Sequence, residues 1–162
     1  MKKVLVVMGS DSDLKVMEKC VDRLKSFDIP TEVRICSAHR TPAVAEQLAK
    51  NAAAEGFGVI IAAAGKAAHL GGVLAAYTTL PVIGVPMATS VMGGMDSLLS
   101  IVQMPKGIPV ATVAIDGADN AAILAAQMIA LSDDALAQKL AQFKADMAAE
   151  VTAKDEKVRA QF

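Results

Sequence analysis

The feature that most restricts the fold is a set of short apolar runs that alternate with stretches of helical periodicity. Lys3–Met8, Gly58–Ala63 and Pro81–Val85 are apolar almost throughout, which is typical of strands buried on both faces of a parallel sheet. Thr31–Ile35 and Pro109–Val113 are predicted to be two further strands. Strands that alternate with helices predict βαβ units on a parallel sheet.

The segments between the strands contain helix signals. Thr41 and Pro42 suit the N-cap and the first position of a helix that runs to about residue 55 and stops at Gly56. Later helices are predicted between Ala64 and Leu80, over Asp96–Gln103 and over Ala118–Leu131. The first helix is indicated by apolar residues at steps of three and four, namely Leu14, Met17, Cys20, Val21, Leu24 and Phe27.

Residues 1–162 are predicted to form a single domain, an α/β core over residues 1–132 followed by a C-terminal helix over residues 133–162. This helix has an apolar stripe at helical spacing, made of Leu136, Leu140, Phe143, Met147 and Val151. Packing on the core of its own subunit and packing on a neighbouring subunit explain the stripe equally well.

Composition excludes several classes of function. Sixteen basic and seventeen acidic residues give a net charge of −1, with no basic patch, which argues against nucleic-acid binding. No apolar run reaches the roughly 20 residues that span a bilayer, and the run at residues 4–8 is too short for a secretory signal. Cys20 and Cys36 lack metal-ligand spacing. We therefore expect a cytoplasmic protein with reduced thiols, no metal and no membrane partner.

Three loops follow predicted strands and contain reactive residues. Ligands of open parallel sheets bind outside the carboxyl ends of the strands, so these loops are expected to share one edge. The first, Gly9–Asp13, offers hydroxyl groups and carboxylates at the start of a helix. Such residues either cap the helix or help its N-terminus to bind an anionic ligand. The second and third each hold one of the two histidines of the chain, His39 and His69.

The second loop, Ser37-Ala38-His39-Arg40, pairs a proton-transfer group with a cation suited to phosphate or carboxylate. The third loop surrounds His69 with small residues, which would let backbone amides approach a flat ligand. Their convergence predicts a site for a small anionic metabolite. Few aromatic residues are available to sandwich a flavin ring, which makes flavin binding a poor fit.

Four motifs resemble one enzyme family over essentially the whole chain. They are Gly-Ser-Asp-Ser-Asp from Gly9, Ser-Ala-His-Arg-Thr-Pro from Ser37, Ala-Gly-Lys-Ala-Ala-His-Leu from Ala64, and the ten residues from Asp96 to Pro105. The family is the catalytic subunit of phosphoribosylaminoimidazole carboxylase, and the third motif is similar to its N5-carboxyaminoimidazole ribonucleotide mutase class. Two positions depart from the family pattern, Lys66 where a small residue is usual and Gly71 where proline is usual.

The resemblance implies a three-layer, flavodoxin-like, doubly wound parallel sheet with an extended C-terminal helix at a subunit interface. It implies a cytoplasmic homo-octamer that uses no metal and no cofactor and takes a small ribonucleotide as substrate. His39 would be the catalytic residue. The substrate-binding residues implied by the resemblance and by the three loops are Ser10, Ser12, Asp13, Ser37, Ala38, Arg40, Gly65, Ala67, His69 and Leu70.

The implied reaction moves a carboxyl group from the exocyclic nitrogen N5 of aminoimidazole ribonucleotide to C4. His39 would donate a proton to release CO2 and later accept the C4 proton, because imidazole exchanges protons near neutral pH. Arg40 would bind the phosphate and Asp13 the ribose hydroxyls. Two alternatives stay open: direct carboxylation of aminoimidazole ribonucleotide by free CO2, and a non-catalytic flavodoxin-like module that binds a phosphorylated ligand.

Overall fold

The computed structural model describes residues 1–162, and its centre is a five-stranded parallel sheet. Its strands are β1 Lys3–Met8, β2 Thr31–Ile35, β3 Phe57–Ala64, β4 Val82–Pro86 and β5 Ala111–Thr112. They lie in the order β2-β1-β3-β4-β5. This strand order is the flavodoxin-like one, and it confirms the predicted fold class. Because β1 lies between β2 and β3, β2 is placed on one side of β1 and the later strands on the other side.

Helices cover both faces of the sheet. Alternate residues of β1 and β3 enter two separate apolar cores, because successive side chains of a strand point to opposite faces. The helices are α1 Leu14–Ser26, α2 Pro42–Ala52, α3 Leu70–Tyr77, α4 Met95–Val102, α5 Ala118–Ala130 and α6 Asp134–Arg159. One core packs against α1, α5 and the start of α6, and the other against α2, α3 and α4. None of them combines the length and the hydropathy that crossing a membrane requires.

Three local predictions differ from the structure. The fifth strand, predicted over residues 109–113, has only two residues, because β5 is an edge strand and Pro109 has no N–H to pair. The second helix ends at Ala52, and turns rather than helix lead to Gly56. Thr41 precedes that helix, but its hydroxyl makes no capping bond; it donates to Ser37 O at 2.9 Å.

The C-terminal helix divides into two halves with different surroundings. Leu136 is fully buried in the first half, and Phe143 stacks edge-on against Phe27 with ring centroids 5.5 Å apart. In the second half Met147 and Val151 are 42% and 65% exposed. The first half of the apolar stripe therefore packs on its own core, and the second half is largely exposed on this chain.

Gly84 in β4 is expected to be intolerant of a side chain. A Cβ at Gly84 would overlap Cγ2 of Ile101 in α4 and lie 3.0 Å from Cγ1 of Val110. Forcing a methyl group into a packed core typically costs about 1–3 kcal/mol, so we expect Gly84→Ala to lower the free energy of unfolding by that amount.

Urea unfolding followed by circular dichroism measures this cost. Gly71→Ala is the matched control, because a Cβ there would lie 3.6 Å from the same Val110 Cγ1, an ordinary contact. Gly71 lies in the first turn of α3, where alanine should leave stability unchanged or raise it. Equal unfolding midpoints for the two variants would contradict the prediction.

Candidate active site

A cavity of about 680 Å³ opens at the carboxyl edge of the sheet, where the loops after β1, β2, β3 and β4 meet. It lies at the switch point between β1 and β3, the place where open α/β sheets bind their ligands. Its volume is in the range of about 300–1,000 Å³ that small-molecule sites occupy.

Every predicted site residue lines this cavity. The first loop contributes three residues, the second four and the third four, and the structure brings all of them together: Ser10, Ser12, Asp13, Ser37, Ala38, His39, Arg40, Gly65, Ala67, His69 and Leu70. Their placement follows from the sheet, because parallel strands end at a common edge.

The sequence prediction missed a fourth wall. Met87, Ala88, Thr89 and Ser90, which follow β4, also line the cavity. The signal that could have found them is positional, since Pro86 ends a parallel strand at the same edge as the other loops. Asp116 fixes this wall by accepting a hydrogen bond from the Ala88 N–H at 2.9 Å.

The two histidines contact each other across the cavity. Nε2 of His39 and Nδ1 of His69 are 2.8 Å apart, a hydrogen-bond distance, with the rings inclined at 74°. The contact depends on the strand order: β1 separates β2 from β3, so the loops that follow them flank a gap of about 10 Å that two imidazole side chains can span.

A hydrogen bond between the facing nitrogens requires one proton between them. If both rings are neutral, one nitrogen donates and the other accepts, so the tautomer of one ring sets the tautomer of the other. One added proton keeps the bond, because a cationic ring donates to a neutral one. A second added proton would place two N–H groups face to face. The geometry therefore suits a pair that holds or releases one proton.

Arg40 is held in place by two of the predicted loops. Its Nε donates to Ser37 Oγ at 3.2 Å, and its Nη2 donates to Gly9 O at 3.3 Å. Ser37 Oγ also accepts from the Arg40 backbone N–H at 3.2 Å. These bonds leave other guanidinium N–H groups available for an anionic ligand, and they fix the cation beside the Ser10–Asp13 loop.

The family can be assigned once this geometry is considered with the comparison of sequences. A family profile described as AIR carboxylase matches residues 3–150. The chain belongs to the AIR carboxylase family. Within the family, the N5-carboxyaminoimidazole ribonucleotide mutase of Methanocaldococcus jannaschii is 52% identical over 159 residues, which cover 98% of this chain and 99% of that protein.

Two further proteins, one compared by sequence and one by structure, are also similar to this chain. The chloroplastic phosphoribosylaminoimidazole carboxylase of Vigna aconitifolia is 51% identical over 140 residues, which cover 86% of this chain and 25% of that protein. The crystal structure of Treponema denticola PurE superposes with a TM-score of 0.87 at 30% identity, covering 95% of this chain and 96% of that one. The chain and the Treponema denticola protein thus share one fold.

Asp13 is the one buried carboxylate that lines the cavity, with 8% of the residue exposed. Burial raises the pKa of its carboxyl above the ordinary value, because desolvation disfavours the charged form. Hydrogen bonds from Ser10 and Ser12 lower the pKa by less, and the charges of Asp11 and Asp116 raise it further. Ionisation of Asp13 in the folded state therefore lowers the stability of the protein.

Asp13→Asn is expected to raise the melting temperature at pH 7 and to weaken ligand binding. The pKa of Asp13 in the folded state lies above the ordinary value of 3.8. Between these two pKa values the folded state binds more protons than the unfolded state, so stability falls as pH rises through that window. Asparagine does not ionise, so the variant does not lose this stability as pH rises. The stability gain should vanish below pH 3.8, where the native carboxyl is neutral in both states. Thermal melts at pH 3 and pH 7 check this, and a lower melting temperature at pH 7 would contradict it.

The two departures from the family pattern occupy different surroundings. Gly71 is buried in the first turn of α3, and its φ is not positive, so its backbone does not require glycine. Lys66 lies on the cavity wall with φ at +57°. No group of three or more His, Cys, Asp and Glu side chains is placed to hold a metal ion.

Proposed function

We propose that the chain is an isomerase of purine biosynthesis that converts N5-carboxyaminoimidazole ribonucleotide to 4-carboxy-5-aminoimidazole ribonucleotide. The identity of 52% with a mutase of that name over 98% of the chain supports this activity. The observation that carries the chemistry is the imidazole pair at 2.8 Å, which lies in the cavity that also contains Arg40.

The first step releases CO2. His39 donates a proton to N5 of the carbamate, the bond between N5 and the carboxyl carbon breaks, and its electron pair stays on nitrogen. CO2 and aminoimidazole ribonucleotide with an uncharged base result. His69 supports this transfer because the hydrogen bond between the rings fixes which nitrogen of His39 is protonated.

The second step forms the carbon–carbon bond. C4 of the imidazole attacks the trapped CO2, and His39 then removes the C4 proton to restore the aromatic ring. His39 ends in the protonation state in which it began, so no external acid or base is needed. Ala64, Ala67 and Leu70 give this part of the cavity an apolar wall that limits hydration of CO2.

The remaining roles concern binding. Arg40 binds the 5′-phosphate with the hydroxyls of Ser12 and Ser37, and Asp13 accepts hydrogen bonds from the ribose. Backbone groups of Ala38, Gly65 and Ala67 approach the base closely because their side chains are small or absent. Ser10 caps the turn that presents Ser12, since its Oγ accepts from the Ser12 N–H at 3.3 Å.

Assembly into a homo-octamer in the cytoplasm, without metal or cofactor, is the second part of the proposal. Large apolar side chains are exposed on α4 and on the second half of α6, including Met95, Leu99, Val102, Met147 and Val151. Two buried free cysteines fit a reducing compartment. Light scattering after gel filtration should give a mass near eight times 16.7 kDa, and a monomer would contradict this part.

Direct carboxylation by CO2 is the second candidate, because a plant relative of 51% identity is named a carboxylase. Incubation of the purified protein with each substrate separates the two. The mutase hypothesis predicts turnover of N5-carboxyaminoimidazole ribonucleotide without added bicarbonate. Turnover only with aminoimidazole ribonucleotide and high bicarbonate would overturn it, and ligand binding without any turnover would favour a non-catalytic phospholigand-binding module.

A further inference from the structure

Lys66 has a backbone conformation that lysine rarely adopts. Its φ of +57° lies in the left-handed region, where the Cβ of an ordinary residue crowds the backbone. The other non-glycine residues with positive φ are Asp28 and Asp116, and aspartate tolerates this region far better. Backbone strain of this kind is concentrated at functional sites, which suggests a functional role for the side chain of Lys66.

The ammonium group of Lys66 has no carboxylate partner within the chain. Six ion pairs are formed, and none of them includes Lys66. Lys50, Lys139 and Lys154 do pair with a carboxylate, whereas Lys66 shares the unpaired state with most lysines of the chain. Lys66 is one of the residues that line the active-site cavity, so its side chain is available to an anionic ligand there.

Two cationic residues on different loops therefore line the cavity. Arg40 follows β2 and is tied to Gly9 O and Ser37 Oγ. Lys66 follows β3, three residues before His69, and its carbonyl accepts from Ser100 Oγ at 3.5 Å. Because β1 separates β2 from β3, the cations belong to opposite walls, with the imidazole pair formed between those walls.

The ligand of the proposed reaction has two anionic groups, a phosphate on the ribose and a carboxyl group on the base. A single cation cannot bind both, because the ribose separates them. Arg40 lies beside the Ser10–Asp13 loop, which suits the phosphate. Lys66 lies on the wall that leads to His69, and proton transfer by the imidazole pair must take place next to the carboxyl group.

We propose that Lys66 binds the migrating carboxyl group and makes the site selective for carboxylated over non-carboxylated aminoimidazole ribonucleotide. This inference rests on the proposed function and adds a specificity-determining residue to it. The ammonium group forms a charge-assisted hydrogen bond with the carboxylate of the substrate and, after C4 is carboxylated, with that of the product. It has no partner while neutral CO2 is present, so Lys66 does not trap the intermediate.

The test compares two ligands that differ by one carboxylate. Calorimetry measures the Kd of 4-carboxy-5-aminoimidazole ribonucleotide and of aminoimidazole ribonucleotide for the wild type, Lys66→Gly and Lys66→Met. Both variants should bind the carboxylated ligand about 3–10-fold more weakly, the range for one charge-assisted contact in a partly exposed site. Their Kd for the non-carboxylated ligand should stay unchanged. Lys106→Met, which removes an exposed charge outside the cavity, is the control.

A stability measurement excludes damage to the fold as the cause. Lys66→Gly should melt at a higher temperature than Lys66→Met, because glycine accepts φ of +57° and methionine keeps the strain. Equal weakening of both ligands would make Lys66 a phosphate contact, and no weakening would make it a solvated lysine; either result overturns the inference. A wild type that binds both ligands but turns over neither substrate would refute the proposed function instead.

Discussion

His39→Asn is expected to lower kcat by about 10²–10⁴-fold, the usual contribution of a positioned general acid–base group. The amide of asparagine fills part of the same space, but it is too short to reach Nδ1 of His69 and cannot exchange a proton near neutral pH. Since the phosphate and ribose contacts involve other residues, the Kd of the product should change little. Single-turnover kinetics and calorimetry together measure this separation of chemistry from binding.

The matched variant is His69→Ala, which leaves His39 present but removes its hydrogen-bond partner. The structure predicts a smaller loss of kcat than for His39→Asn and an altered dependence of kcat on pH, because the two rings share one proton. The chain has only two histidines, so NMR titration of the variants assigns each imidazole directly. Equal turnover of His39→Asn and wild type would refute the role of His39.

Sequence reasoning predicts most of the sheet because each strand is set by a local pattern. Lys3–Met8 is a continuous apolar run that ends at Gly9, and its observed bounds are the predicted ones. Thr31–Ile35 follows Pro30 and also has the predicted bounds. The positions of the site loops follow in turn, because residues placed after parallel strands must reach the same edge.

What the sequence does not predict depends on contacts between distant residues. The bond between His39 and His69 requires β1 to lie between β2 and β3, and strand order is not a local property. Thr41 has the residue type of a helix cap, yet the loop returns close enough for its hydroxyl to bind Ser37 instead. The wall after β4 lacks any charged or imidazole group, so residue type alone gave no signal there.

Arg40→Met is expected to raise KM by about 10–100-fold, because hydrogen bonds to charged groups contribute about 1.5–3 kcal/mol each. The kcat at saturating substrate should fall much less, since the proton transfer is assigned to His39. Arg40→Lys should lie between the wild type and Arg40→Met. Lysine keeps the charge but cannot donate to Gly9 O and Ser37 Oγ in the geometry of a guanidinium group.

The control for Arg40 is a ligand without the phosphate. Arg40→Met should weaken binding of the ribonucleotide but leave binding of the corresponding nucleoside unchanged, because the guanidinium contact is assigned to the phosphate alone. Arg34→Met removes a charge from an exposed ion pair with Glu32 and should alter neither affinity. An equal loss for nucleotide and nucleoside would mean that Arg40 holds the Ser37–Arg40 loop in place rather than the phosphate. Added salt provides an independent check, because screening should weaken nucleotide binding to the wild type more than to Arg40→Met.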